Sequence, residues 1–179
     1  GYDLYTDGLK IYTTIDSRMQ KYAEEAVQER MKKLQRTFAN HWRDRNPWTD
    51  EDGEELPGFI DSVARRTERY KGLVKRFQLY PDSVAYYMKV KKQRMKVFDW
   101  DAKNKARQVE MSPYDSIAYY KKLLQAGMVA MDPHSGHIRA WVGGLNHDYF
   151  KYDHVRQGRR QPGSTFKPFV YATAIDDTA

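Results

Sequence analysis

The chain has 179 residues, with 31 basic against 24 acidic for a formal net charge of +7, and no cysteine. That length suits one domain, or one domain with part of another, and the lack of cysteine excludes disulfides, thiolate nucleophiles and cysteine-ligated zinc. A mean hydropathy of -0.89 runs polar, but 14% aromatic residues supply apolar faces that can bury a core, which argues against wholesale disorder.

Leu9–Ile15 is rich in β-branched and aromatic residues without a breaker, which predicts a strand ended by Asp16 and Ser17. Ser17 and Gln20 have capping-box spacing, and Met19, Tyr22, Ala23, Ala26, Val27, Arg30 and Leu34 recur at helical intervals, so a helix is predicted from about 17 to 35. From Thr37 to Gly58 the periodicity vanishes. There an aromatic, basic piece (Phe38, His41, Trp42, Arg43, Arg45, Trp48) gives way to the acidic run Asp50, Glu51, Asp52, Glu54 and Glu55, the pattern of an inserted loop. Its aromatics are expected to pin the loop onto a neighbour, with a ligand-binding patch as the other reading. Helical spacing resumes from Phe59 through Val63, Tyr70 and Val74 to Phe77, where Pro81 ends it; a short helix is predicted over Asp82–Val90.

Met95–Trp100 and Ala106–Met111 flank a polar turn at 101–105 and read as a β-hairpin. Ser112 caps a following helix with Pro113 in its first position. A second hairpin is predicted from Gly127–Met131 and His137–Val142 across the turn residues Asp132–Gly136. Gly143-Gly144 then releases the chain into a polar stretch up to Gly163, and Ser164–Ala179 reads as a helix. The pattern is that of an α+β fold, mostly antiparallel, with helices segregated from hairpins. It divides into a strand-helix segment at 1–36, a linker or inserted subdomain at 37–111, and a last unit at 112–179. That final helix lacks a glycine cap or basic last turn, as expected of a piece of a longer chain.

Five histidines raise a metal site, above all His134 and His137, but these straddle a turn without a third ligand at metal-site spacing, so no metal is expected. No motif calls for a cofactor. Basic residues cluster between Lys89 and Arg107 and again at Arg156, Arg159 and Arg160. Without a zinc-finger, RNA-recognition or basic-zipper signature these read as a solvated face rather than a nucleic-acid site, although an anionic membrane surface or wall polymer would engage the same charges.

The segment Arg159-Arg160-Gln161-Pro162-Gly163-Ser164-Thr165-Phe166-Lys167-Pro168 carries mechanism in its spacing. Ser164 and Lys167, at i and i+3, fall on one helical face. Pro168 fits only near a first turn, so Ser164 is expected at a helix N-terminus, where partial positive charge and free amides stabilise a developing oxyanion. A lysine serves as base there only if burial or neighbouring cations leave it neutral part of the time. Phe166 and Phe169 are candidates to exclude water around it.

Ala126–Pro133, Ala140–Gly144 and Arg160–Pro168 together closely resemble class A penicillin-binding proteins, whose nucleophile motif is S-x-x-K. Tyr12–Asp16 and its helix look like the segment that follows the glycosyltransferase domain of such enzymes. The chain thus resembles their linker region with the N-terminal part of the transpeptidase domain. The resemblance implies that Ser164 accepts the acyl group of a peptidoglycan stem peptide at its D-Ala-D-Ala bond, that β-lactams acylate the same serine, and that Lys167 takes and returns its proton. It also implies a periplasmic enzyme anchored in the cytoplasmic membrane, working with other cell-wall synthesis proteins.

The family's S-x-N and K-T-G motifs do not occur in this sequence, so the isolated chain is expected to be inactive. The 127–142 hairpin is expected to present unpaired edges and an uncovered apolar face, favouring oligomers, swapping or disorder near the C-terminus. Three alternatives remain open: a non-catalytic wall- or partner-binding module built on the insertion, a nucleic-acid-binding domain, and a β-lactamase-like hydrolase.

Overall fold

The computed structural model describes residues 3, 5–78 and 80–176. The chain is α+β, six helices and two separate antiparallel hairpins among those residues. Leu9–Ile15 is not a strand. It runs past the second hairpin without a strand ladder: the Thr14 hydroxyl donates to the Ile138 carbonyl at 2.7 Å, the Asp16 N–H donates to the Arg139 carbonyl at 2.9 Å, and the Arg139 guanidinium donates to the Thr14 carbonyl at 3.4 Å. With Ile11 and Tyr12 exposed, its β-prone residues have no face to bury, and propensity alone does not make a strand.

Helix α1 spans Ser17–His41 and is capped by Asp16, whose carboxylate accepts from the N–H groups of Arg18 and Met19. The Ser17–Gln20 capping box does not form, because the Gln20 amide is engaged elsewhere. The helix outruns its apolar periodicity by six residues since nothing from Arg36 to His41 breaks it. Its buried stripe is Ala23, Val27, Met31 and Gln35, whereas Met19, Tyr22 and Leu34 stay exposed.

In the following loop Trp48 is buried, stacks on Phe59 at 5.5 Å and donates its indole N–H to Glu55, so it does pin the insertion. The long helix expected to Phe77 is two, α2 (Phe59–Arg65) and α3 (Glu68–Arg76). Thr67 separates them: its hydroxyl donates to the Ala64 carbonyl at 2.7 Å and accepts from the Tyr70 N–H at 3.3 Å, ending one helix and capping the next. Pro81 opens α4 (Pro81–Ala85) rather than merely closing what precedes it, and a π-helical turn carries on over Tyr86–Val90.

Strands β1 (Gln93–Phe98) and β2 (Ala106–Met111) pair from Gln93 opposite Met111 to Phe98 opposite Ala106. Helix α5 (Pro113–Lys121) starts from a capping box in which Ser112 and Asp115 each accept the other's N–H. Strands β3 (Met128–Met131) and β4 (Ile138–Val142) form the second hairpin, with an irregularity between Ala130 and Met131. A short 3-10 turn, Gly163–Phe166, leads into α6 (Lys167–Asp176); residues 177–179, which the sequence adds to this helix, lie outside the described residues.

Two cores result. In one, Ala23, Val27 and Met31 of α1 pack on Phe98, Trp100, Ala140, Val142 and Leu145. In the other, Ala64, Val84 and Met88 pack together, with Tyr114 and Ile117 of α5 against them.

Candidate active site

The platform that precedes the Ser164 segment is the β3–β4 hairpin on α1. Three glutamines of α1 bind main chain in this hairpin and in the segments on either side of it. Gln20 exchanges two hydrogen bonds with Trp141, Gln28 donates to the Leu145 carbonyl, and Gln35 donates to the Lys122 carbonyl while accepting from the Leu124 N–H. The outer edge of β4 is therefore covered, contrary to the expectation of two bare edges. Strand β3 fits that expectation better: it has β4 on one side only, and Met128, Val129 and Met131 are exposed.

Gly143-Gly144 does not simply release the chain. Residues beyond it fold back, the His154 N–H donating to the Gly143 carbonyl at 2.7 Å. A Cβ on Gly143 would stand 2.8 Å from the Asp153 carboxylate, so glycine is required for this approach. Asp153 in turn accepts from the N–H groups of Val155 and Arg156 and from the Trp141 indole. The Arg156 amide foremost, with the indole and Val155, holds its carboxyl below the usual aspartate range against partial desolvation. Sequence reading missed Asp153, whose only signal was a carboxylate shortly after a glycine pair. A cavity of about 510 Å³ lies here, between Glu24 and Gln28 of α1 and Trp141, Phe150 and Asp153.

Ser164 lies in the 3-10 turn and Lys167 is the first residue of α6; the Lys167 N–H donates to the Ser164 carbonyl, so the two are one turn apart. Gly163, at φ +52°, sets up the turn in a conformation that favours glycine, and Thr165 donates both its N–H and its hydroxyl to the Pro162 carbonyl. Pro168 occupies the first turn of α6, as the sequence requires. The surroundings differ from expectation. All residues from Arg159 to Asp176 are exposed. Phe166 and Phe169 touch each other at 5.5 Å but are 53% and 66% exposed, so they exclude no water from Lys167. Among the described residues the Ser164 hydroxyl has no hydrogen-bond partner.

His134 and His137 sit in the exposed β3–β4 turn, organised around Asp132. Among the described residues no group of three or more potential ligands is arranged for a metal ion, and no helix is long and apolar enough to cross a membrane.

Residues 43–124 match the penicillin-binding protein middle domain, and residues 126–179 match the penicillin-binding protein transpeptidase domain. The chain is 29% identical over 98% of its length to penicillin-binding protein 1A of Neisseria lactamica, and 28% identical over the same share to that of Neisseria meningitidis. It is 24% identical over 99% of its length to penicillin-binding protein 1A of Pseudomonas aeruginosa. It spans about a quarter of each relative, 24% in all three. No solved structure matches.

Proposed function

Because the chain belongs to the penicillin-binding proteins, falling on the middle and transpeptidase domains of the class A, 1A-type members, we propose that it is part of a peptidoglycan synthase whose serine D,D-transpeptidase crosslinks stem peptides through Ser164. The observation that carries the reading is the one-turn spacing of Ser164 and Lys167 at the start of α6.

In this scheme the Ser164 Oγ attacks the carbonyl of the penultimate D-alanine while a neutral Lys167 Nζ takes its proton. The Ser164 amide supplies one donor to the tetrahedral oxyanion. The peptide C–N bond then breaks, the proton passes to the departing D-alanine amine, and an ester remains on Ser164. An amine of a neighbouring strand attacks that ester, forms the crosslink and returns the hydrogen to the serine. A β-lactam enters the same first step, its ring amide taking the place of the scissile bond.

The longer protein also carries a glycosyltransferase domain and a membrane anchor, and acts in the periplasm. The 179-residue chain alone is inactive in this reading, since the described residues from Arg159 to Asp176, Lys167 among them, are all exposed. Replacing Ser164 by alanine in the full-length parent tests the assignment. Crosslinking and covalent penicillin capture should both be abolished; crosslinking at the normal rate would refute it.

A further inference from the structure

Strand β1 has β2 on one side only. Along an antiparallel strand, alternate residues turn both N–H and C=O to the same side. Phe98 turns them away from β2: its N–H donates to the Tyr120 hydroxyl at 3.2 Å and its carbonyl accepts from the Tyr119 hydroxyl at 2.6 Å. Two tyrosines of α5 thus close this end of the edge. By the same alternation Lys96 and Arg94 direct their main chain outward too, and among the described residues nothing pairs with it. Two consecutive outward positions of a β-edge are left open.

Beside them lies a groove of about 310 Å³, with Met95 and Ile117 providing apolar surface and Thr67, Arg69, Arg94 and Ser116 polar surface. It adjoins a second of about 250 Å³ along Arg69, Leu73, Tyr87 and Lys91. The cations here are exposed, and Arg69, Lys91, Arg94 and Lys96 form no ion pair with a described residue. Lys91 lies over the Tyr87 ring at 4.7 Å. Three neighbouring cations are matched instead, in the pairs Lys71–Glu68, Lys89–Asp61 and Arg107–Asp99.

We propose that the open β1 edge at Arg94–Lys96, with its groove, is a docking site for an extended, carboxylate-rich segment of a partner protein, which adds as a third strand beside β1. Main chain satisfies main chain along the edge, and alternate side chains give the selectivity. Carboxylates every second residue meet Arg69, Lys91, Arg94 and Lys96, while the residues between them rest on Met95 and Ile117. An anionic membrane would meet the cations but leave the edge unpaired. The chain's own acidic run is not free to fill it. Asp50 accepts from the N–H groups of Asp52 and Glu54, and Glu55 accepts from Trp48 and Asn46.

The test titrates the isotopically labelled chain with a blocked alternating Glu-Val pentapeptide, its Lys-Val counterpart, and phosphatidylglycerol vesicles, following amide exchange by NMR. The Glu-Val peptide should bind, less tightly as salt rises, and slow exchange at Arg94 and Lys96 by about tenfold or more. The double variant Arg69→Glu, Arg94→Glu, checked for folding by circular dichroism, should lose about tenfold or more in affinity. Equal binding of the Lys-Val peptide, unchanged exchange at Arg94 and Lys96, preferential capture by vesicles, or protection arising only from self-association in sedimentation would each overturn the proposal.

Discussion

Gln20 and Trp141 exchange two hydrogen bonds, the Trp141 N–H donating to Gln20 Oε1 at 2.7 Å and Gln20 Nε2 donating to the Trp141 carbonyl at 3.0 Å. A carboxamide has the donor and acceptor of a peptide unit, so Gln20 stands in for a residue of a neighbouring strand and closes the edge of β4 from a helix. Gln20→Ala should strand both partly buried main-chain groups and lower stability by about 1–3 kcal/mol, read from urea denaturation midpoints. Gln20→Glu keeps the acceptor but sets a carboxylate oxygen against the Trp141 carbonyl and the Glu24 carboxylate, both of which Gln20 Nε2 now donates to, so its loss should be at least as large at neutral pH. Midpoints unchanged in both variants would show that the pair holds nothing together.

That contact also marks the limit of what the sequence reveals. The α+β class, both hairpins, the Ser112–Pro113 helix start and the Ser164 turn were legible because each rests on local chemistry: alternation, a capping residue, proline at a first turn. Gln20 was read as local capping chemistry, but it belongs to a contact between residues 121 apart in sequence. Leu9–Ile15 fails as a strand for the complementary reason, since a strand needs a partner and the sequence does not say whether one is there. Thr67 hid a helix break because a hydroxyl that bonds its own backbone leaves the apolar spacing intact on either side. At the candidate site, the spacing of Ser164 and Lys167 is local and was legible; their exposure depends on packing and was not.

The buried stripe of α1 gives a second prediction. Met31 is buried against the first core, whereas Leu34 is 42% exposed although both fit helical spacing. Met31→Ala should cost about 2–5 kcal/mol through lost burial and a residual cavity. Leu34→Ala should cost less, about 1–2 kcal/mol, since some two fifths of its surface already meets water and less apolar area is lost. Thermal or urea denaturation of the pair checks the orientation of the helix; equal losses would mean that its face is rotated.

A third concerns pH and the ion pair of Asp61 and Lys89, 2.6 Å apart. The hydrogen bond from Lys89 foremost holds the Asp61 carboxyl below the ordinary aspartate value, opposing desolvation and assisted by the Tyr114 hydroxyl at 3.1 Å. The same bond raises Lys89 above the ordinary lysine value. A lowered carboxyl stabilises the fold above its unfolded pKa of about 4 and loses this as pH falls through the folded value; a raised lysine stabilises below about 10.4 and loses this as pH rises through its folded value. Both side chains are more than a third exposed, so water screens the pair to about 1 kcal/mol or less. The stability gap between the wild type and Asp61→Asn should therefore hold steady from about pH 5 to 9 and close in acid. A gap that widened below pH 4 would reverse the assigned sign.

The last prediction separates having the motif from having the chemistry. Acylation of a serine through a lysine requires the amine to be neutral when the substrate arrives, which calls for a dry or cation-rich setting. Around Lys167 the chain offers an exposed helix, with Phe169, Val170, Tyr171 and Ile175 all more than half in water. A fluorescent penicillin should therefore leave the 179-residue chain unlabelled on the timescale at which it captures the full-length parent. Apolar burial of the same helix in the parent should restore labelling without any change in the Ser164–Lys167 spacing. If the short chain were labelled rapidly, and Ser164→Ala removed the label, then one helical turn and its amides would suffice to activate the hydroxyl, and desolvation of Lys167 would not be the controlling variable.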